Sequence, residues 1–161
     1  MQKVVLTALV IASLGLGGCA SSVLTVEKPH VGSERFSSAE LVYDQSSVPV
    51  DQNNLDYTKE KMEAALFAGD SPIFTRGSGL TIRYRYVGFN EGSRVGRYLL
   101  PGIAGGATVI LETDFVARDG TVLATVRGEG EVGGGFAGGS NKSGIDQAIE
   151  EIAAYAAREF R

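Results

Sequence analysis

The chain has 161 residues, a formal net charge of −4 and hydrophobic residues at 43% of its positions, so it is long and apolar enough for one domain with a real core. Its mildly acidic balance argues against nucleic acid and against electrostatic docking on anionic lipids. Its single cysteine, Cys19, excludes an internal disulfide.

The first residues have the three parts of a secretory signal peptide: a basic start at Lys3, an apolar run over residues 4–16, and small residues up to Cys19. The apolar run is shorter than the roughly 20 residues that a membrane-spanning helix needs. Residues 16–19, "LGGC", resemble the lipobox of bacterial lipoproteins. That resemblance implies cleavage before Cys19, a diacylglycerol on its thiol and an acyl chain such as palmitate on its new amino group. An ordinary signal peptide with a chance cysteine is the alternative.

We therefore divide the chain into a signal peptide (1–18), a lipidated tether (19–33) and a single α+β domain (34–161). The tether is predicted because Ser, Pro and Gly occur there without sustained periodicity. Its lone histidine, His30, has no second His or Cys nearby, so no metal site is expected. Residue 20 is Ala and not Asp, which by the sorting rule of Gram-negative lipoproteins implies the outer membrane, facing the periplasm.

Three elements are predicted before residue 90. A strand is expected over residues 35–45, followed by a helix that begins at Asp56 or Thr58 and ends at Gly69. The apolar stripe of this helix consists of Met62, Ala65 and Leu66. The next strand alternates, and its buried face is predicted to contain Leu80, Ile82, Tyr84 and Tyr86.

Residues 107–132 predict a hairpin around the two-residue turn Asp119-Gly120. On the core face this turn pairs Phe115 with Ala124, Thr113 with Val126, and Leu111 with Gly128. On the other face it pairs Glu112 with Arg127, Asp114 with Thr125, and Val116 with Leu123. A last helix is predicted to bury Ile145, Ile149, Ile152, Ala153, Ala156 and Phe160. The order β-α-β-β-β-α indicates an α+β fold, with a mainly antiparallel sheet of about four strands and two helices on one face.

Gly128, Gly130 and Gly133 match the pattern G-x-G-x-x-G after a predicted strand. A dinucleotide site needs the helix to begin within this motif and a further parallel strand to follow it, and the sequence meets neither condition. We therefore expect these glycines to permit close packing or a bulge, and we expect no nucleotide to bind.

The sequence contains no catalytic constellation, because G-x-S-x-G is absent and no histidine lies in the predicted domain. We therefore expect no enzymatic activity and no cofactor other than the acyl groups on Cys19. In the predicted register Glu112 and Asp114 share a face with arginines. A solvated charge lattice is expected there, in which neutralising Glu112 costs at most about 1 kcal/mol.

Two segments, residues 98–111 and 133–139, combine glycine with apolar residues and carry no charge. Small residues let another backbone approach closely. The candidate interaction surface consists of Ile103, Gly105, Gly106, Phe136, Gly138 and Gly139. Core, protein interface and membrane contact all remain open for these segments, although Pro101 disfavours insertion as a helix.

From Asn90 onward the chain resembles a family of bacterial lipoproteins, the domain of unknown function numbered forty-four-ten. The resemblance rests on Gly92, Arg94 and Arg97, the hairpin with its Gly turn, the glycine cluster around Phe136 and the alanine-rich last helix. It implies a small envelope lipoprotein with no assigned activity and no catalytic residues.

We accordingly expect a non-catalytic, lipid-anchored binding or assembly module. Its expected partners are the membrane, through the anchor, and another envelope protein or a second copy of the chain. A membrane-active oligomer or pore-assembly component is the alternative. A cell-envelope hydrolase is less favoured because no pair of nucleophile and base is found.

Overall fold

The computed structural model describes residues 22–89, 107–132 and 141–161. The elements in chain order are β1 (Ser22–Lys28), β2 (Ser38–Tyr43), α1 (Gln52–Phe67), β3 (Thr75–Arg76), β4 (Leu80–Phe89), β5 (Ala107–Ala117), β6 (Val122–Val132) and α2 (Asn141–Phe160). The strands form one six-stranded sheet in the order β1-β6-β5-β4-β2-β3.

The sheet is mixed. Its first four strands in spatial order, β1, β6, β5 and β4, pair antiparallel, whereas β2 pairs in parallel with both β4 and β3. The parallel pairing of β2 with β4 requires a crossover connection, and α1 lies in that connection. The prediction of an α+β fold is confirmed, but the prediction of about four strands is wrong, because β1 and the two-residue β3 add to the edges of the sheet.

Both helices cover the same side of the sheet. Alternate residues of β4 face this side and are buried together with Phe115 and Val126 of the hairpin. Met62 and Leu66 of α1 pack into the same core, as do Ile149 and Ile152 of α2. We call this side the helix face and the opposite side the open face, because no described helix covers the latter.

The structure differs from the predicted tether over residues 22–28, which form the edge strand β1. Ser22 pairs with Gly130 and Val26 with Val126 of β6. The sequence signal is weak because β1 has only one neighbour and most of its side chains remain exposed. His30 follows directly, and its ring lies 4.5 Å from the ring of Phe160, so it packs against the end of α2.

The hairpin confirms most of the predicted register, including the pairs of Phe115 with Ala124 and of Glu112 with Arg127. The turn itself is different: Gly120 donates to the carbonyl of Ala117 at 2.9 Å, and Ala117 donates to Thr121 at 2.8 Å. Within this turn only Gly120 has a positive φ, of 86°, so the loop has three residues and ends in a left-handed glycine. The extra loop residue shifts the register at the turn.

One predicted pair is therefore wrong, because Val116 pairs with Val122 and not with Leu123. The helix start is also corrected, since the carboxylate of Asp51 accepts a hydrogen bond from the Asn54 N–H and caps α1, which begins at Gln52. The predicted end is confirmed, because α1 ends at Phe67 and Gly69 follows with φ 94°.

Candidate functional site

Every residue of the predicted interaction surface lies outside the described residues, as does the lipidation candidate. These are Cys19, Ile103, Gly105, Gly106, Phe136, Gly138 and Gly139. The residues that flank them are described, however, and they define where each segment leaves the fold.

The flanking residues converge on one end of the sheet. Phe89, the last described residue before one segment, is paired with Val109, close to the start of β5. Ala107, where β5 begins, is paired with Val132, where β6 ends. Ser22 is paired with Gly130, two residues before that end. Both glycine-containing segments and the N-terminal residues therefore leave the fold at the same end, which we call the anchor end.

The glycines of β6 serve close packing against α2. A Cβ atom on Gly128 would lie 2.3 Å from the carbonyl oxygen of Ala148, and one on Gly130 would lie 2.0 Å from that of Gly144. Real Cβ atoms do not approach backbone atoms so closely, so only glycine lets α2 lie flat on β6 at these positions. This confirms the close-packing interpretation of Gly128 and Gly130, the described part of the G-x-G-x-x-G match.

The open face carries an ion-pair network centred on β5. Arg85 Nη1 lies 3.1 Å from Asp114 Oδ2, and Arg85 also bonds to Glu112. The second oxygen of Glu112 accepts from Arg127 Nε at 2.8 Å, and Arg127 Nη1 continues to Glu27 on β1 at 3.0 Å. The network therefore joins four neighbouring strands across the sheet.

The predicted lattice exists, but it is not solvated at its centre. Glu112 and Asp114 are only 7% and 9% exposed, because β5 lies in the middle of the sheet and longer side chains from both neighbours cover it. Partial burial alone would lower the pKa of Arg85, but its bonds to Asp114 and Glu112 outweigh burial and raise that pKa. Arg85 therefore stays charged, and neutralising Glu112 costs more than a surface pair would.

The described residues offer no metal site, since no group of three or more His, Cys, Asp or Glu side chains is suitably placed. The side chain of His30 is 2% exposed and bonds to Glu34 at 3.2 Å, so it acts as a packing residue against Phe160. Within the same ranges, no helix is both long and apolar enough to cross a bilayer.

A shallow apolar groove of about 590 Å³ separates the two helices on the helix face. Alanines from both helices form most of its floor, including Ala64, Ala153 and Ala157, and Lys61 and Glu150 lie at its rim. The hydroxyl of Tyr57 donates to Asp146 at 3.0 Å and joins the two helices.

The strand edges carry surface features that the sequence analysis missed. Within the described ranges, five large hydrophobic residues are exposed, and four of them belong to edge strands: Val23 and Val26 on β1, and Val42 and Tyr43 on β2. The sequence signal for β1 is the β-branched residues Val23, Thr25 and Val26, which mark a strand without indicating which side is left unpaired.

No family model and no curated protein matches the chain. Among solved structures, the chain is similar to a single-substitution variant of the PelC dodecamer from Paraburkholderia phytofirmans, with 11% identity, a TM-score of 0.49 and coverage of 88% of this chain and 99% of that one. It is also similar to the PelC dodecamer from the same organism in another crystal form, with 11% identity, a TM-score of 0.45 and coverage of 89% and 99%. At this level of likeness nothing about function carries over.

Proposed function

We propose that the protein is a lipid-anchored lipoprotein of the bacterial envelope, related to the lipoprotein family that its last residues resemble, and that it acts as a non-catalytic binding or assembly module. One observation carries the proposal. The chain leading back to Cys19 and the two glycine-containing segments all leave the sheet at the anchor end.

Chain length limits how far the anchor lies from that end. Two residues, Ala20 and Ser21, lie between Cys19 and Ser22. An extended chain covers at most about 3.6 Å per residue, so these three steps place the acylated cysteine within about 11 Å of the start of β1. The anchor end therefore faces the bilayer. Several acyl chains, at about 0.8 kcal/mol per buried CH₂, hold it there.

This arrangement favours partners at the membrane surface. The described residues that flank both segments without charge lie at the anchor end, whereas the ion-pair network on the open face lies farther along the strands. Another envelope protein at the same membrane surface can contact the anchor end while both proteins stay at the bilayer. The carboxylates Glu112 and Asp114 are held in ion pairs, which supports a structural role for them in place of acid-base chemistry.

The test uses the full-length protein in its own host. Metabolic labelling with a palmitate analogue should label the wild type and leave Cys19→Ala unlabelled. Crosslinking in living cells, followed by mass spectrometry of co-purifying proteins, should recover a discrete partner only with the labelled form. A wild type without label would remove the anchor from the proposal.

Two substitutions test the candidate interaction surface directly. Ile103→Asp and Phe136→Asp should each reduce recovery of the partner at least about tenfold, because a buried charge is costly at an apolar contact. The matched control is Val31→Asp. Val31 is 94% exposed and lies next to His30, at the C-terminal end of α2 and far from the anchor end. Equal recovery with all three variants would contradict the proposed surface.

A further inference from the structure

The two edges of the sheet are open over part of their length. On one side β1 has no neighbour beyond it among the described residues. At the opposite edge β3 covers only Ser38 and Ala39 of β2, so residues 40–43 pair with β4 on one side and with no described strand on the other. Unpaired edges of this kind are templates for pairing with another chain.

The backbone of β2 points hydrogen-bonding groups toward its open edge. Ser37 and Ala39 use their carbonyls to accept from Thr75 and Gly77 on the β3 side, whereas Asp44 donates to Tyr84 on the β4 side. Because successive residues in a strand alternate sides, Leu41 and Tyr43 point their N–H and C=O groups outward beyond β3.

At the two edges, exposed apolar side chains lie at the same level along the strands. Across the sheet Tyr43 is paired with Tyr84, Tyr84 with Thr113, Thr113 with Val126, and Val126 with Val26. Tyr43 and Val26 thus end one cross-strand row on the helix face, at opposite edges. They are 42% and 41% exposed, so each edge leaves an apolar side chain uncovered at the same level.

We propose that copies of this protein associate head to tail through these edges, with β1 of one copy pairing antiparallel with residues 40–43 of the next. In this junction Val26 packs beside Tyr43 of the neighbouring copy. The strand directions permit it, because β1 and β2 run in opposite directions within one sheet.

Charge on the open face favours the same junction. Lys28 is level with Thr125, Asp114, Arg83 and finally Val42 at the far edge. Glu40 and Asp44 flank Val42 two residues away on the same face, so a neighbouring Lys28 would lie diagonally between two carboxylates. Within one chain the Lys28 ammonium donates to the carbonyl of Val122.

The membrane anchor selects between possible pairings, and this step rests on the proposed function. In head-to-tail pairing the sheets of successive copies continue one another, so the anchor ends of all copies lie on the same side of the assembly. An antiparallel pairing of β1 with β1 about a two-fold axis would point the two anchor ends in opposite directions. Only the head-to-tail arrangement of these two lets both copies remain in one bilayer, where confinement raises their effective concentration.

The test is disulfide crosslinking of the full-length protein in its host membrane, with Val26→Cys and Tyr43→Cys combined. The two positions of one copy lie four strand spacings apart, about 19 Å, which is too far for a disulfide within one chain. A ladder of dimers, trimers and longer species is expected on mild oxidation. The matched control combines Val31→Cys with Tyr43→Cys and should give no ladder.

A charge swap provides a second measurement that does not depend on the new cysteines packing well. In the double-cysteine background, Lys28→Glu should lower the ladder yield about threefold, and Glu40→Lys added to it should restore the yield. A ladder insensitive to both changes would contradict the proposed register.

The outcomes separate this inference from the proposed function. Dimers formed by Val26→Cys alone, without longer species in the double variant, would indicate pairing of β1 with β1 and overturn the head-to-tail arrangement. An acylated Cys19 with no ladder leaves the anchor in place and removes this inference. A ladder from a protein without acyl label supports the head-to-tail pairing and removes the lipid anchor from the proposed function.

Discussion

Gly130 lies against the backbone of Gly144, so closely that a Cβ atom on Gly130 would stand 2.0 Å from the Gly144 carbonyl oxygen. The pair joins the last residues of β6 to the first turn of α2, and it determines how near the helix approaches the sheet. Any side chain at Gly130 must push the helix away from β6.

Gly130→Ala should therefore lower the free energy of unfolding by at least about 2 kcal/mol, since backbone atoms cannot move aside as a flexible side chain can. Gly69→Ala is the control: nothing lies within 4 Å of its added Cβ, and only the φ of 94° is unfavourable. That strain costs about 1 kcal/mol. Urea denaturation of the Cys19→Ala protein measures both, and equal losses would contradict the packing argument.

Glu112→Gln should lower the free energy of unfolding by about 2 kcal/mol, because it removes charge from a buried carboxylate that bonds to two arginines. Glu27→Gln alters an exposed partner of the same Arg127, so at most about 1 kcal/mol is expected there. Thermal unfolding at low and moderate salt distinguishes the two, since only the exposed pair should weaken with salt. A smaller loss of unfolding free energy for Glu112→Gln than for Glu27→Gln would indicate that the network is solvated.

Asp51 gives the fold a predictable response to acid. Its pKa is lowered from 3.8 by the hydrogen bond from the Asn54 backbone and by the Asn54 side chain. A carboxylate with a depressed folded-state pKa stabilises the fold above its unfolded pKa, and this contribution is lost as the pH falls through the folded value. Asp51→Asn keeps a capping side chain but removes the titration, so its stability should fall less steeply below about pH 4. An unchanged acid limb in urea denaturation would exclude this role.

Tyr86 should contribute to the alkaline response, as should Tyr84, whose pKa burial also raises. Burial raises the pKa of Tyr86 from 10.0 to about 12, although its hydrogen bond with Thr58 acts in the opposite direction. Its contribution is present below pH 10 and is lost as the pH rises toward 12, because the unfolded chain ionises first. Tyr86→Phe removes this titration, so between these pH values its stability should decline less than that of the wild type. Circular dichroism across that range measures the difference.

The elements that could be predicted from the sequence are those whose hydrophobic periodicity is visible within the element alone. The alternation from Leu80 to Tyr86 and the stripe of α2 each bury one face, so period alone identifies them. The register of the hairpin followed from its short turn, and it failed only beside that turn, where Gly120 alone takes a positive φ.

The elements that the sequence did not predict depend on distant partners. β1 is held by β6, and β3 contains two residues whose pairing with β2 follows from the tertiary arrangement. The burial of Glu112 likewise depends on where β5 lies in the sheet. As for the candidate site, Cys19 was predicted from the lipobox-like residues 16–19 and the glycine-containing segments from their composition. That the described residues flanking them meet at one end of the sheet follows from the strand pairing.

The pairing of β1 with β6 has a consequence for the order of events during biogenesis. Leu24 of β1 finds its partner only when Gly128, 104 residues farther along the chain, has been made. Contacts so distant in sequence form slowly, because a long loop must close before they stabilise the fold. In a nascent chain of this protein, the sheet therefore stays without β1 until β6 has been synthesised.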